Sequence, residues 1–264
     1  MIDIVNSNKD KDIVKAPYTT WNRKTWSGFS NIYGDCVWSD GTDIYYNRGN
    51  DQFILDKSTN IWTPKTWNVF DDIDGMFIWT DGNNIYHSFS GDQYVLDKST
   101  STWIPKRWNS RDNDIYYGSQ IWTDGSNIYY SFGNKQYILD KSSSIWIPKV
   151  WNRYRYIGGS YIWTDGTDIY HSINNQQYVL DKSTSTWNTK TWNGFSNPNG
   201  SCIWSDGTDI YYSLYNAQYV LDKSTSTWYP KRWNGFSDID GYYVWTDGSN
   251  IYYSNGNDQY VLTK

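Results

Sequence analysis

The 264-residue sequence predicts an all-β fold, a six-bladed β-propeller of four-stranded antiparallel blades closed by an N-terminal strand, and three observations lead to it. First, "YVLDKSTSTW" stands unchanged at 94–103, 178–187 and 219–228, with near copies "FILDKSTNIW" from Phe53 and "YILDKSSSIW" from Tyr137. Second, Trp-Ser/Thr-Asp-Gly begins at Trp38, Trp79, Trp122, Trp163, Trp204 and Trp245, spaced 41, 43, 41, 41 and 41 residues apart. Self-similarity at that period marks a repeat architecture. Third, aromatics make up 20 % of the chain, and such side chains suit pleated, half-buried surfaces.

One unit, "GSCIWSDGTDIYYSLYNAQYVLDKSTSTWYPKRW" (200–233), shows how a blade is spelled. A short aromatic run (strand a) leads into an Asp-Gly turn, because that turn needs positive φ. "DIYYS" follows as strand b, an Asn-containing turn next, then "QYVLDK" as strand c, a Ser/Thr turn, and "TWYPKRW" as strand d. Four strands in about 41 residues, with no helical period, describe one propeller blade.

The ends support closure. "TTWNRKTW" (19–26) matches strand d and "DQYVLTK" (258–264) matches strand c, so the first segment completes the last blade. "DIVKAPYTTW" (12–21) aligns with the decapeptide as a worn strand c. Residues 1–18 therefore read as a polar N-terminal tail and 19–264 as the propeller.

Composition narrows the function. A formal charge of −5 argues against nucleic acid, which is held through clustered Lys and Arg. No run of 18 apolar residues is present, so no membrane insertion is expected. Residues 1–17 lack the basic start and apolar stretch of a signal peptide, which leads to an expectation of a cytoplasmic or virion-associated protein. Cys36 and Cys202 sit at equivalent places in non-adjacent repeats, too far apart to bridge, and read as buried free thiols.

"IYYS…QYVLDKSTSTW…KRW" resembles the kelch repeat, in which a strand ending in Ile-Tyr precedes a Tyr-x-Leu-Asp strand, a Ser/Thr turn and a Trp. The resemblance covers all six units and extends to the Asn- and Tyr-rich kelch-like repeats of low-GC bacteria and their phages. It implies the propeller fold. The kelch Gly-Gly pair after the Ile-Tyr strand is missing, replaced by Tyr-Ser, Tyr-Asn or His-Ser, so function does not transfer. Trp-Thr-Asp-Gly also resembles the YWTD propellers, on a strand of different order.

A copper oxidase of the galactose-oxidase type shares the kelch fold, and such a site resembles two His, two Tyr and a crosslinked Cys. Here His87 and His171 merely replace the tyrosine found at 46, 130, 212 and 253, so packed histidines are expected. The aspartates of the Asp-Gly turns and those after strand c recur in every blade, which suits turn capping or pairing with Lys rather than catalysis. "DDIDG" (71–75) and "SDIDG" (237–241) resemble calcium loops faintly, but the first position is not acidic and no Glu stands at the twelfth. No enzyme, cofactor or metal is expected.

All eighteen tryptophans fall at three places per repeat, as packing between blades requires. One set, Trp26, Trp67, Trp108, Trp151, Trp192 and Trp233, is the candidate for solvent-facing ligand stacking. A–b and c–d turns barely vary between repeats, whereas d–a and b–c loops vary freely, and alternating strands put both variable loops on one face. Loops "NSRDNDIYYGSQ" (109–120) and "NRYRYIGGSY" (152–161) place Arg111, Tyr116, Tyr117, Arg153, Tyr154, Arg155 and Tyr156 on blades three and four. Phe89, Phe132 and Tyr215 in the b–c loops extend the patch. Tyr and Arg carry much interface energy. The expected function is non-catalytic binding of a protein or surface glycan, by a monomer or a subunit of a larger assembly. A multivalent lectin and a structural component of a phage particle are the alternatives.

Overall fold

The structure, a computed structural model, describes residues 20–108, 117–173 and 175–263. The N-terminal tail expected over 1–18, the worn strand c and most of the loop carrying Arg111 and Tyr116 lie outside the described residues. Within them the chain forms six antiparallel sheets, each with a three-residue strand a, then b, c and d in spatial order. In blade five these are Ile203–Ser205, Ile210–Leu214, Ala217–Asp222 and Thr227–Pro230, registered by Trp204↔Tyr211, Tyr211↔Val220 and Leu221↔Trp228.

Local chemistry fixes each turn. Asp206 Oδ1 accepts the backbone N–H groups of Thr208 (2.9 Å) and Asp209 (2.8 Å) while Gly207 supplies φ 87°. After strand c, Asp222 Oδ1 accepts the Ser224 N–H and hydroxyl at 3.0 and 2.7 Å. Short polar side chains that bond their own backbone two residues on are the usual turn formers. The recurrent aspartates are thus turn caps, as the sequence implies. The recurrent lysines do not pair with these carboxylates: those of strand d, Lys65, Lys106, Lys149 and Lys190, donate to the hydroxyls of Ser101, Ser144, Ser185 and Ser226, and Lys98, Lys141, Lys182 and Lys223 donate to the carbonyl of the preceding blade's turn aspartate.

Blades pack through tryptophan cages. Between blades four and five, Trp163 stacks on Tyr170 (4.4 Å) and meets Trp192 (5.7 Å) and Trp228 (6.0 Å). The strand a indoles donate to the residue after Tyr-Tyr or Tyr-His, as in Trp204 Nε1 to Ser213 Oγ at 3.0 Å. That bond accounts for the serine of the "IYYS" motif. The strand c glutamines stitch neighbours together: Gln218 donates to the Ile239 carbonyl (2.8 Å) and accepts from Trp233 Nε1 (3.2 Å).

Closure follows the expected route. Thr20–Arg23 pairs antiparallel with Asp258–Thr263, registered Trp21↔Leu262, as strand d of blade six. Two features were not legible. At the described junctions, residues after strand d add a short parallel pairing to the next blade's strand d, as in Asn193↔Thr227 and Asn234↔Thr20, which covers an edge otherwise open to association. Each d–a loop ends in a 3-10 turn, such as Gly75–Phe77 or Gly200–Cys202, and successive turns touch in a closed ring that joins Gly34–Cys36 to Gly241–Tyr243. The leading glycine of each turn lies against the preceding blade's backbone carbonyl, where any Cβ would collide.

Candidate functional site

On the face built by the d–a and b–c loops, a cleft of about 370 Å³ opens between blades three and four. Blade three contributes Gln120 from its 3-10 turn and Phe132 from its b–c loop; blade four contributes Tyr154, Tyr156, Gly158, Ser160, Tyr161, His171, Ile173 and Gln176. The volume sits at the small end of ordinary ligand pockets.

One residue sets this junction apart from its repeat equivalents. The position before the 3-10 turn is Tyr33, Asp74, Tyr117, Asn199 or Asp240 in the other blades, and in blade four it is Gly158. Gly158 has φ −102°, a conformation any residue adopts. Its place is taken by the Tyr161 ring instead: a Cβ there would stand 2.9 Å from that ring and 3.8 Å from Gln120 Oε1, so a side chain could enter only by displacing Tyr161. The Gly158 N–H donates to His171 Nε2 at 3.3 Å.

Tyr154 stacks on Tyr178 (4.1 Å), the place phenylalanine takes at Phe70, Phe195 and Phe236. Its hydroxyl donates to Gln176 Oε1 at 2.7 Å, so the phenol adds an aimed hydrogen bond to a structural ring. Gln120 Nε2 bonds Ser160 Oγ at 3.3 Å. Tyr156 is 68 % exposed and Phe132 46 %. Among the described residues no lining side chain is charged: burial draws the His171 imidazole down to about 4 and pushes the Tyr154 phenol up.

The expected site residues divide. Phe132, Tyr154 and Tyr156 meet at the cleft. Tyr117 continues the aromatic surface toward blade two, its ring 5.9 Å from Phe132 and 6.0 Å from Phe89, which stacks on Phe77 at 4.5 Å. Arg153 does not join them: it has φ 70° and its Nη1 reaches Asn188 Oδ1, on the outer strand of blade four, at 3.2 Å. Arg155 is exposed outside the cleft lining, and Tyr215 is exposed on blade five. Among the described residues the expected Tyr/Arg cluster divides into an aromatic cleft and two arginines, Arg153 and Arg155, outside its lining. Gly158, Gln120, Gln176 and His171 were missed, although the departure of Gly158 from its repeat equivalents was readable in "YIGGSY".

Other candidates resolve into scaffold. Trp26, Trp67, Trp151, Trp192 and Trp233 are buried and Trp108 is largely so, as packing between blades requires, which removes the set as a candidate for solvent-facing stacking; each lies under a lysine, as Lys231 over Trp233 at 4.7 Å. Asp74 and Asp240 of the calcium-like loops cap the 3-10 turns through the N–H groups of Met76 and Tyr242 at 3.1 Å. His87 is buried, with its Nε2 accepting the Asp74 N–H at 3.4 Å. Cys36 and Cys202 are buried free thiols. Among the described residues no group of three or more His, Cys, Asp or Glu is placed to hold a metal. A hollow of about 440 Å³ beside Asp43, Asp56 and Lys57 on blade one is built from positions that recur around the ring, so nothing distinguishes it.

Comparison with known proteins adds fold. No family model matches the chain, and no curated protein does. Among solved structures it is similar to the extracellular domain of a one component system from B. thetaiotaomicron, at TM-score 0.57 and 10 % identity, over 92 % of this chain and 42 % of that one. The extracellular domain of a hybrid two component system from the same organism aligns at TM-score 0.56 and 12 % identity, over 94 % and 42 %. The chain thus spans about two fifths of the length of these structures. At such identity the likeness is one of fold, and it supports the six-bladed propeller.

Proposed function

We propose that this protein is a non-catalytic recognition propeller, kelch-like in its repeat, that binds a protein or surface glycan through its variable face with the cleft between blades three and four at the centre. The observation that carries this reading is the cleft itself: five blades have a larger residue before the 3-10 turn, blade four has glycine, and the cleft at that junction is lined by an exposed tyrosine. Binding residues on loops held by a rigid scaffold are the common arrangement, and the solved neighbours being extracellular domains is compatible with recognition. A lectin with six equivalent sites is less well supported, because the repeated tryptophans are covered.

The test is binding of the purified protein to a broad glycan and polysaccharide array and to a surface-protein panel. A Phe132→Ala/Tyr156→Ala variant should lose what the wild type retains, while Arg153→Ala, outside the cleft, should keep it. Retention by the cleft variant with loss in Arg153→Ala would move the site to the rim.

A further inference from the structure

Resting on that reading, we infer that the cleft between blades three and four is a subsite for one uncharged saccharide ring, with Tyr156 as its stacking platform and Gln120 and Gln176 as its hydrogen-bonding edge. A pyranose has an apolar face of C–H groups and a rim of hydroxyls that both donate and accept. A binding site for it needs an exposed aromatic face beside uncharged donors and acceptors, whereas a peptide end, a phosphate or a sulfate needs charge.

The cleft meets those demands in detail. Tyr156 is the only aromatic at its repeat position: Asn31, Asp72, Asn197 and Asp238 stand there in blades one, two, five and six. Gln176 spends its Oε1 on the Tyr154 hydroxyl, which fixes the amide and leaves Nε2 as a donor. Gln120 spends its Nε2 on Ser160, which leaves Oε1 as an acceptor on the Gly158 side, 3.8 Å from where a Cβ would stand. The two amides are therefore set in opposite senses, one donating and one accepting, a combination that suits vicinal hydroxyls. Phe132 and Ile173 supply apolar walls, and none of the described lining residues carries a charged side chain.

The experiment is saturation-transfer NMR and calorimetric titration of the full chain with three probe sets: neutral hexose and N-acetylhexosamine disaccharides, their uronic acid or sulfated counterparts, and short aromatic peptides. The expected result is transfer to the C–H groups of one or more neutral disaccharides. Affinity should fall at least tenfold in Tyr156→Ala and in Gly158→Asn, be largely kept in Tyr156→Phe, and weaken in Gln176→Leu, with thermal unfolding unchanged in the Tyr156 variants and lowered in Gly158→Asn, whose Cβ must displace the Tyr161 ring. Preference for the charged sugars, or for peptides, with the same loss in Gly158→Asn would overturn the saccharide assignment while leaving the cleft as the binding site. Binding indifferent to Gly158→Asn and Tyr156→Ala, or no binding in any set, would overturn both.

Discussion

Two histidines and one valine show what single residues do in so repetitive a chain. His87 and His171 replace a tyrosine of strand b and are buried with Nδ1 lacking a partner. Burial alone holds both imidazoles neutral, at about 4 against an ordinary 6.5. The unfolded chain therefore takes up protons that the folded one refuses between pH 6.5 and 4. Stability is complete above pH 6.5 and falls as pH drops to 4, by about 3 kcal/mol per histidine. Asp35 acts in the opposite sense, since burial and then Asp74 raise its carboxyl to about 6, so the comparison must be between variants. His87→Tyr/His171→Tyr, which restores the residue of the other blades, should flatten the acid side of the stability profile measured by urea unfolding from pH 7 to 4. Val69 has φ 73° and is 77 % exposed, where Gly28, Gly194 and Gly235 stand in other blades. A β-branched residue there is strained and buries nothing. Val69→Gly should raise stability by about 1 kcal/mol, read as a shift in the urea midpoint at constant slope.

At the scale of the element, most of a blade was legible. Asp-Gly turns, alternating aromatic strands and Ser/Thr turns each announce themselves because their chemistry is local: Asp206 with Thr208, Asp222 with Ser224. What was not legible depends on neighbours. The glutamine of "QYVLD" looks like an exposed strand residue, yet Gln218 is buried between blades, holding Ile239 and Trp233 of the next. Gln218→Ala should cost about 2–4 kcal/mol, since it strands a buried carbonyl and a buried indole N–H; a loss under 0.5 kcal/mol in chemical denaturation would show that the stitch is dispensable. The 3-10 ring was equally hidden, because the need for glycine at position 75 comes from the Cys36 carbonyl of another blade. The candidate site follows the same rule. The aromatics Tyr154, Tyr156 and Phe132 were picked out by loop variation, but the arginines were grouped with them by sequence proximity. Positive φ at Arg153 sends that side chain to the rim.

For the whole molecule, closure is the decisive event. The strand at Thr20–Arg23 is far in sequence from its partner Asp258–Thr263, and Trp21 is fully buried in the joint cage with Trp204 and Trp233. Trp21→Ala should lower stability by about 3–5 kcal/mol and, by loosening the seam, raise hydrogen exchange of blade six before that of blades two to four. Uniform exchange around the ring would show that closure is no weaker than any other joint. A closed, near-symmetric ring also gives the account its logic for function: six scaffold copies differ on one face, and on that face a cleft lies between blades three and four. The most direct measurement of that claim is the affinity, by calorimetry, of a ligand retained by the wild type for the wild type and for Gly158→Asn, which installs the side chain of blade five at an unstrained φ. The account predicts at least a tenfold loss of affinity in a variant that still unfolds cooperatively. Equal affinity for the two proteins would contradict it.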